Sequence, residues 1–313
     1  MTRHFLRDDD LTPAEQAEVI ELAVKLKADR FAERTFAGPQ TVAIIMDKPT
    51  LRTQTSFTVG VAELQGNAFL VDGAKAQIGT RESVEDVARV IGRQVSAIVW
   101  RTFAQSDIET MAEYSGVPVV NALTDDFHPC QILADLLTIR EHKGELAGLT
   151  MSYIGDGANN MAHSYLLGGA LAGMHVRIAT PAGYQPRADI VADAERIAAQ
   201  TGGSVTITAE PAQMAAGADI IVTDTWVSMG QEDDKAERRA AFADYTVGAE
   251  LMGAAKPDAI FLHCLPAYRG YEVTAEVIDG PQSVVWDEAE NRLHAQKALL
   301  AWLLGKNREG ADV

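Results

Sequence analysis

Cysteine is nearly absent: Cys130 and Cys264 are the only two in 313 residues, too few for a disulfide framework in a chain of this length. Reduced thiols in a cytoplasmic setting are the expectation. No run of about 18 apolar residues occurs, and the opening MTRHFLRDDDLTP carries three acids where an export signal needs an apolar stretch, so neither a membrane span nor export is expected. Bases are also scarce, 27 against 44 acids, for a net charge of −17. That balance repels nucleic acid and anionic membrane, so an anionic ligand has to be held by a local concentration of positive groups. Low-complexity tracts, flexible linkers and fixed-period repeats are missing, which excludes solenoid and tethered-domain architectures. What is present is 47% apolar content, that of a globular chain of about two ordinary domains.

Thr12-Pro13-Ala14-Glu15 combines an N-cap hydroxyl, a first-turn proline and a capping-box acid. Val19, Leu22, Ala23 and Leu26 then recur at helical spacing, which predicts a first amphipathic helix. Apolar runs follow at 41–46, 68–71, 97–100 and 118–121, separated by helical-period segments at 54–65, 83–93 and 105–115. This β-α rhythm predicts a parallel sheet with helices on both faces. After an amphipathic helix at 131–142 the rhythm restarts, with strands expected at 150–154, 174–179, 204–208, 219–223 and 259–263. A strand-like SVVW at 283–286 and a closing helix at 288–304 complete it. The expected fold class is α/β, two domains of similar size, each with a central parallel sheet flanked by helices. In such sheets ligands sit beyond the carboxyl ends of the strands, so the post-strand loops are the place to look for chemistry.

The first such loop, Asp47-Lys48-Pro49-Thr50-Leu51-Arg52-Thr53-Gln54, brings hydroxyls, a guanidinium and backbone N–H groups to a helix start. That suits a phosphate without glycine richness; a plain Thr-capped turn is the alternative. Arg101 ends the third strand, and Asp126-Phe127-His128-Pro129-Cys130-Gln131 opens the long helix with His128 and Gln131 three apart, able to address one ligand oxygen. Gly155-Asp156-Gly157-Ala158-Asn159-Asn160 approaches the dinucleotide fingerprint, but Asn160 stands where the third glycine belongs. The next strand also supplies no ribose-binding acid, which disfavours a dehydrogenase. Asp224 at a strand end, followed by Ser228-Met229-Gly230, suits an amino group. His263-Cys264 with His128 and Cys130 raises zinc, yet neither C-x-x-C nor H-x-x-x-H spacing is present, so no metal is expected.

Taken together, the RT-containing loop at 50–53, WRT at 100–102, FHPCQ at 127–131, GDGANN at 155–160, DTWVSMGQE at 224–232, HCLPA at 263–267 and WDEAENRLHAQKALL at 286–300 resemble the ornithine carbamoyltransferases of the aspartate/ornithine carbamoyltransferase family, over the full length. The resemblance implies a carbamoyl-phosphate domain at 1–140, on which a C-terminal helix at 288–313 packs back, and an ornithine domain at 141–287. It implies a cytoplasmic homotrimer that needs no cofactor. The implied reaction carries the carbamoyl group of carbamoyl phosphate to the δ-amine of ornithine, giving citrulline and phosphate, in arginine biosynthesis or the reverse, catabolic direction.

Carried over by position, the resemblance implies that Thr50, Leu51, Arg52 and Thr53 hold the phosphate and that Arg101 bridges phosphate and carbonyl oxygen. His128, Gln131 and Arg292 bind the carbamoyl group, and Gln77 reaches the phosphate of a neighbouring subunit. Asn160, Asp224, Ser228 and Met229 take the α-carboxylate and α-amino ends of ornithine, while Cys264 and Leu265 meet the reacting groups. Arg101, His128, Cys264 and Asp224 are the catalytic set. Two positions depart from the usual pattern: Thr50-Leu51-Arg52-Thr53-Gln54 replaces Ser-Thr-Arg-Thr-Arg, and Tyr268 precedes Arg269-Gly270 where histidine is usual. Gln54, two residues beyond Arg52, should face away from the phosphate. A carbamoyltransferase for putrescine, lysine or an acylated ornithine, a silent carbamoyl-phosphate-binding subunit, and an NAD-binding dehydrogenase remain the alternatives.

Overall fold

The computed structural model describes residues 2–227 and 234–309. The chain divides into two compact units, Met1–Leu137 with Glu290–Val313, and Thr138–Ala289. In chain order the first unit holds α1 (Pro13–Ala28), β1 (Thr41–Met46), α2 (Arg52–Glu63), β2 (Asn67–Asp72), α3 (Gly73–Ala76), α4 (Val84–Ile91), β3 (Ala97–Arg101), α5 (Gln105–Ser115), β4 (Val119–Leu123) and the start of α6 (Pro129–Lys143). The capping box of α1 forms as its sequence predicts. Glu15 N–H donates to Thr12 Oγ1 at 3.3 Å, and Thr12 N–H donates to Glu15 Oε2 at 2.9 Å.

The four strands lie in the order β2-β1-β3-β4, all parallel. Helices cover both faces of β1, so its residues Val42 to Ile45 are all buried and the strand reads as an unbroken apolar run. On one face Ala43, Ile45, Ile98 and Trp100 pack with residues of α4 and α5, among them Val87, Ile108 and Met111. β2 is an edge strand and leaves Phe69 56% and Leu70 42% exposed.

The second unit continues with β5 (Thr150–Ile154), α7 (Asn160–Leu171), β6 (His175–Ala179), α8 (Ala188–Thr201), β7 (Ser204–Thr208), α9 (Pro211–Ala215), β8 (Ile220–Val222), α10 (Lys235–Ala241), α11 (Ala249–Ala254), β9 (Ile260–Leu262), α12 (Ala275–Ile278) and the start of α13 (Val285–Glu309), which from Glu290 onward belongs to the first unit. Its strands are parallel in the order β7-β6-β5-β8-β9. From Met161 to Leu171 every residue of α7 is buried, which is why this helix carries no polar stripe. The SVVW segment is not a strand. Ser283 makes one isolated bridge to Phe261, Val284 N–H donates to Phe261 O at 3.1 Å, and Val285 already begins α13. The acids Asp287 and Glu288 in the first turn favour that helix start over continued pairing. Among the described residues no helix is long and apolar enough to cross a membrane.

In both sheets the order in which strands are added switches sides at a definite place. In the first unit the chain passes from β1 to one side and returns on the other as β3; in the second the same happens between β5 and β8. The loops after these strands therefore flank a crevice in each sheet. Gly73 secures one of them, because a Cβ there would lie 1.8 Å from Asp47 Oδ1, while Asp47 Oδ2 accepts from Trp100 Nε1 at 2.8 Å. Gly73→Ala is expected to lower the unfolding free energy by about 1–3 kcal/mol through overpacking. Gly253→Ala, with open space around it, should be neutral or stabilising. Denaturant titration of both variants checks this, and equal effects would mean that Asp47 yields without cost.

Candidate functional site

In the first unit, the loop after β1 leads into α2 with Thr50 Oγ1 accepting from Thr53 N–H at 3.4 Å. Leu51 is 77% exposed, Arg52 is half-buried and Gln54 is exposed, so position 54 turns away from Thr53, which is buried. Lys48 is buried as well, paired with Asp125 and lying over the Phe103 ring at 4.5 Å. Arg101 ends β3 where the register with β4 shifts. Past β4, Phe127 N–H donates to Thr124 Oγ1 at 3.1 Å and Thr124 N–H to Phe127 O at 2.9 Å. This tight turn delivers His128 to the head of α6, where its carbonyl accepts from Gln131 N–H at 3.0 Å.

Arg292, from α13, ties these loops together. Its Nη1 donates to Gln131 Oε1 at 2.7 Å and its Nη2 to Thr53 Oγ1 at 3.0 Å. The amide of Gln131 is oriented from its other end, because Nε2 donates to the buried Asp135 at 2.8 Å. His128 is buried among positive groups. Burial first, then the charges of Arg292, Arg101, Arg52 and Lys48 in that order, push its imidazole well below the ordinary histidine value. A neutral ring can still donate one N–H, which suits a developing oxyanion. Gln77 lies apart from this set. It is the left-handed C-cap of α3, at φ 53°, with its side chain exposed.

In the second unit, Asn159 caps α7 by accepting from Ala162 N–H at 2.9 Å, and its amide donates to Tyr153 Oη at 2.9 Å and Asp224 Oδ2 at 3.4 Å. Asn160 is the first residue of α7 and half-buried. Asp224 follows β8, and its Oδ1 accepts from Cys264 Sγ at 3.2 Å. Burial raises this carboxyl, against the opposing pull of His263 and the Cys264 thiol. After β9, His263 Nδ1 accepts from Leu265 N–H at 2.9 Å, which leaves Nε2–H to face Glu272 Oε1 at 3.2 Å. Leu265 sits at φ 57°, a conformation costly for a branched L-residue, and this ring bond helps to hold it. Asp224, His263 and Cys264 bring their ligand atoms within 4.8 Å of one another, but a cation there would have to displace Leu265 N–H or Glu272 from the ring. Tyr268 is 52% exposed and, with Thr225, Trp226, Arg239 and Tyr271, lines a cavity of about 140 Å³. Ser228 and Met229 lie outside the described residues.

Three side chains emerge that sequence reading did not select: Lys48, Asn159 and Gln296. Asn159 has a local signal, an N-cap residue before a helix. Gln296 stands four after Arg292 and so shares its helix face. The burial of Lys48 has no such signal.

The fold and these side chains define a class: an α/β protein of two parallel-sheet units, one bearing a cluster of fixed cations and the other a buried acid with a thiol and an amide. Within that class, the chain belongs to the aspartate/ornithine carbamoyltransferase family. Residues 3–141 match the family's carbamoyl-P binding domain and residues 147–303 its Asp/Orn binding domain. The chain is 68% identical over 304 residues to an ornithine carbamoyltransferase of Clavibacter sepedonicus, covering 97% of this chain and 99% of the relative. It is 67% identical to one of Leifsonia xyli subsp. xyli, covering 99% and 100%. The solved ornithine carbamoyltransferase of Pyrococcus furiosus aligns with a TM-score of 0.93 at 44% identity, over 97% of each chain.

The depressed His128 has a measurable consequence. Its folded pKa lies below the unfolded value of about 6.5, so the unfolded chain binds the proton first. The stability linked to it is complete above about pH 6.5 and declines as pH falls below that value. In NMR spectra of ring-labelled protein, the His128 signal should stay that of a neutral imidazole from about pH 8 to 6. A midpoint near 6.5 would remove the case for a neutral donor.

Proposed function

We propose that the protein transfers the carbamoyl group of carbamoyl phosphate to the δ-amine of L-ornithine, giving L-citrulline and phosphate. The observation that carries this reading is the full-length match to ornithine carbamoyltransferases in a chain that concentrates Arg52, Arg101, Arg292 and Lys48 around a buried histidine despite its net charge of −17. In this reading residues 1–140 with 288–313 carry carbamoyl phosphate and 141–287 carry ornithine. The amine nitrogen attacks the carbonyl carbon, the C–N bond forms, and the C–O bond to phosphorus-bearing oxygen breaks, its electron pair leaving with phosphate.

Thr50, Leu51, Arg52 and Thr53 receive the phosphate at the head of α2, where backbone N–H groups and the helix dipole favour an anion. Arg101 and the neutral His128 address the carbonyl oxygen, with Gln131 and Arg292 holding the carbamoyl group. Preplaced donors of this kind are worth about 3–4 kcal/mol each in a transition state. At the ornithine end Asn160, Asp224, Ser228 and Met229 take the α-carboxylate and α-ammonium groups. Cys264 and Leu265 meet the δ-amine, which must shed a proton to attack. The Cys264 thiol donates to Asp224 Oδ1, so the Asp224 carboxylate is the proton acceptor in this reading and Cys264 holds it in place.

The active assembly is proposed as a cytoplasmic homotrimer. Support comes from the exposed Phe69 and Leu70 on the open edge strand β2 and from Leu51, 77% exposed beside the phosphate loop; apolar groups at an unpaired edge favour burial against another chain. Gln77, at the exit of α3, then serves the site of the adjacent subunit.

Purified protein supplied with carbamoyl phosphate should form citrulline from ornithine and little or no product from putrescine or lysine. Equal turnover of all three would overturn the assignment of Asp224 to an α-amino group. Arg101→Ala should lower kcat and kcat/KM together by about 100-fold, roughly 3 kcal/mol, whereas a change confined to KM would remove its transition-state role.

The shared site has its own test. Gln77→Ala and Arg101→Ala homotrimers should each be nearly inactive. After joint unfolding and refolding in equal amounts, roughly a quarter of all sites, about one in each mixed ring, combine an intact Arg101 with an intact neighbouring Gln77, so activity should return. Mixed trimers, verified by mass, that stay as inactive as their parents would show that Gln77 does not act across subunits.

A further inference from the structure

Gln296 stands on α13 one turn after Arg292, and both are buried, at 1% and 3% exposure. A guanidinium carries donors only, so the group that faces Arg292 must accept. In the amide orientation that satisfies every neighbour, Gln296 Oε1 accepts from Arg292 Nε at 2.9 Å and Nη2 at 3.0 Å, while its Nε2 donates to Ser56 Oγ at 2.6 Å. The reverse orientation would set an NH₂ group against the guanidinium. Because Ser56 Oγ accepts from the amide, its own proton is directed to Arg52 O at 2.8 Å or Thr53 O at 3.1 Å. Those carbonyls belong to the first turn of α2, whose side chains Arg52 and Thr53 form the phosphate loop.

We propose that Gln296 is a positioning residue for the carbamoyl-phosphate site. Through one amide it fixes the guanidinium plane of Arg292 and, by way of Ser56, the first turn of α2, so the carbamoyl and phosphate contacts keep a common register. This rests on the reading in which Arg292 and that turn bind carbamoyl phosphate. The chemistry favours glutamine. A neutral amide supplies both the acceptor and the donor, a carboxylate would cancel the charge of Arg292, and a thioether would leave buried N–H groups without a strong acceptor. The attachment of α13 does not depend on it, since the neighbouring Lys297 donates to Glu63 Oε2 at 2.7 Å, Arg30 O at 2.8 Å and Leu26 O at 3.2 Å. Loss of Gln296 therefore disturbs orientation more than folding.

The test measures Gln296→Met and Gln296→Glu in the full-length protein, with and without Arg292→Ala. Gln296→Met should raise KM for carbamoyl phosphate and lower kcat, with kcat/KM falling about 30-fold (roughly 2 kcal/mol). KM for ornithine at saturating carbamoyl phosphate should change less than about twofold, and a second Gln296→Met in the Arg292→Ala background should add less than about twofold, because the two act as one unit. Gln296→Glu, which keeps the side-chain shape, should weaken inhibition by inorganic phosphate at least about tenfold and serves if the methionine variant fails to fold. Wild-type kinetics in the folded variants, or penalties that multiply in the Arg292→Ala background, would overturn the proposal while leaving the site reading intact. Carbamoyl-phosphate kinetics unchanged by Arg292→Ala alone would sink the site reading and, with it, the role of Gln296.

Discussion

The governing constraint is the crowding of positive charge in a strongly acidic protein. Lys48, Arg52, Arg101 and Arg292 all act on one buried imidazole, and at an effective dielectric of about 20 two like charges 4 Å apart repel by roughly 4 kcal/mol. Fixed acceptors make the arrangement tolerable. Asp125 meets Lys48, and Thr53, Gln131 and Gln296 meet Arg292. An anion arriving there finds its partners already oriented, which is the condition under which electrostatic stabilisation costs no reorganisation during the reaction.

Parallel sheets make that concentration possible. Every strand of such a sheet ends on the same edge, so segments distant in sequence deliver their loops to one place. The loops after β1, β3 and β4 bring Lys48, Thr53, Arg101 and His128 to one edge of the first sheet. The second sheet uses the same device for the opposite polarity, with Asn159 after β5, Asp224 after β8 and Cys264 after β9 joined by hydrogen bonds. A glycine without space for a Cβ, Gly73 against Asp47, and a leucine held at φ 57° by a histidine ring show how closely the backbone is matched to these loops.

Much of the framework follows from local pattern. The strands of both sheets lie within about two residues of the expected runs, most clearly β1 and β3, where a strand buried on both faces tolerates no polar interruption. The cap of α1 follows from four adjacent residues. The short helices α3, α9, α11 and α12 span little more than one turn each, too little for a periodic signal in the sequence. The 283–286 segment misled because Val-Val-Trp favours a strand wherever edge pairing continues, and here the chain turns into α13 after one bridge.

What the sequence by itself determined was the α/β class, the order of its elements, the loops that carry chemistry and, through their motifs, the family. These signals act over a few residues, so they survive without knowledge of the fold. Only tertiary structure decided how the charges are partnered. Arg292 meets Gln131 across 161 positions and Thr53 across 239, and Lys48 finds Asp125 across 77. Contacts at such separations form only when whole elements pack, because the hydrogen bonds that select one acceptor over another depend on positions that no local propensity specifies.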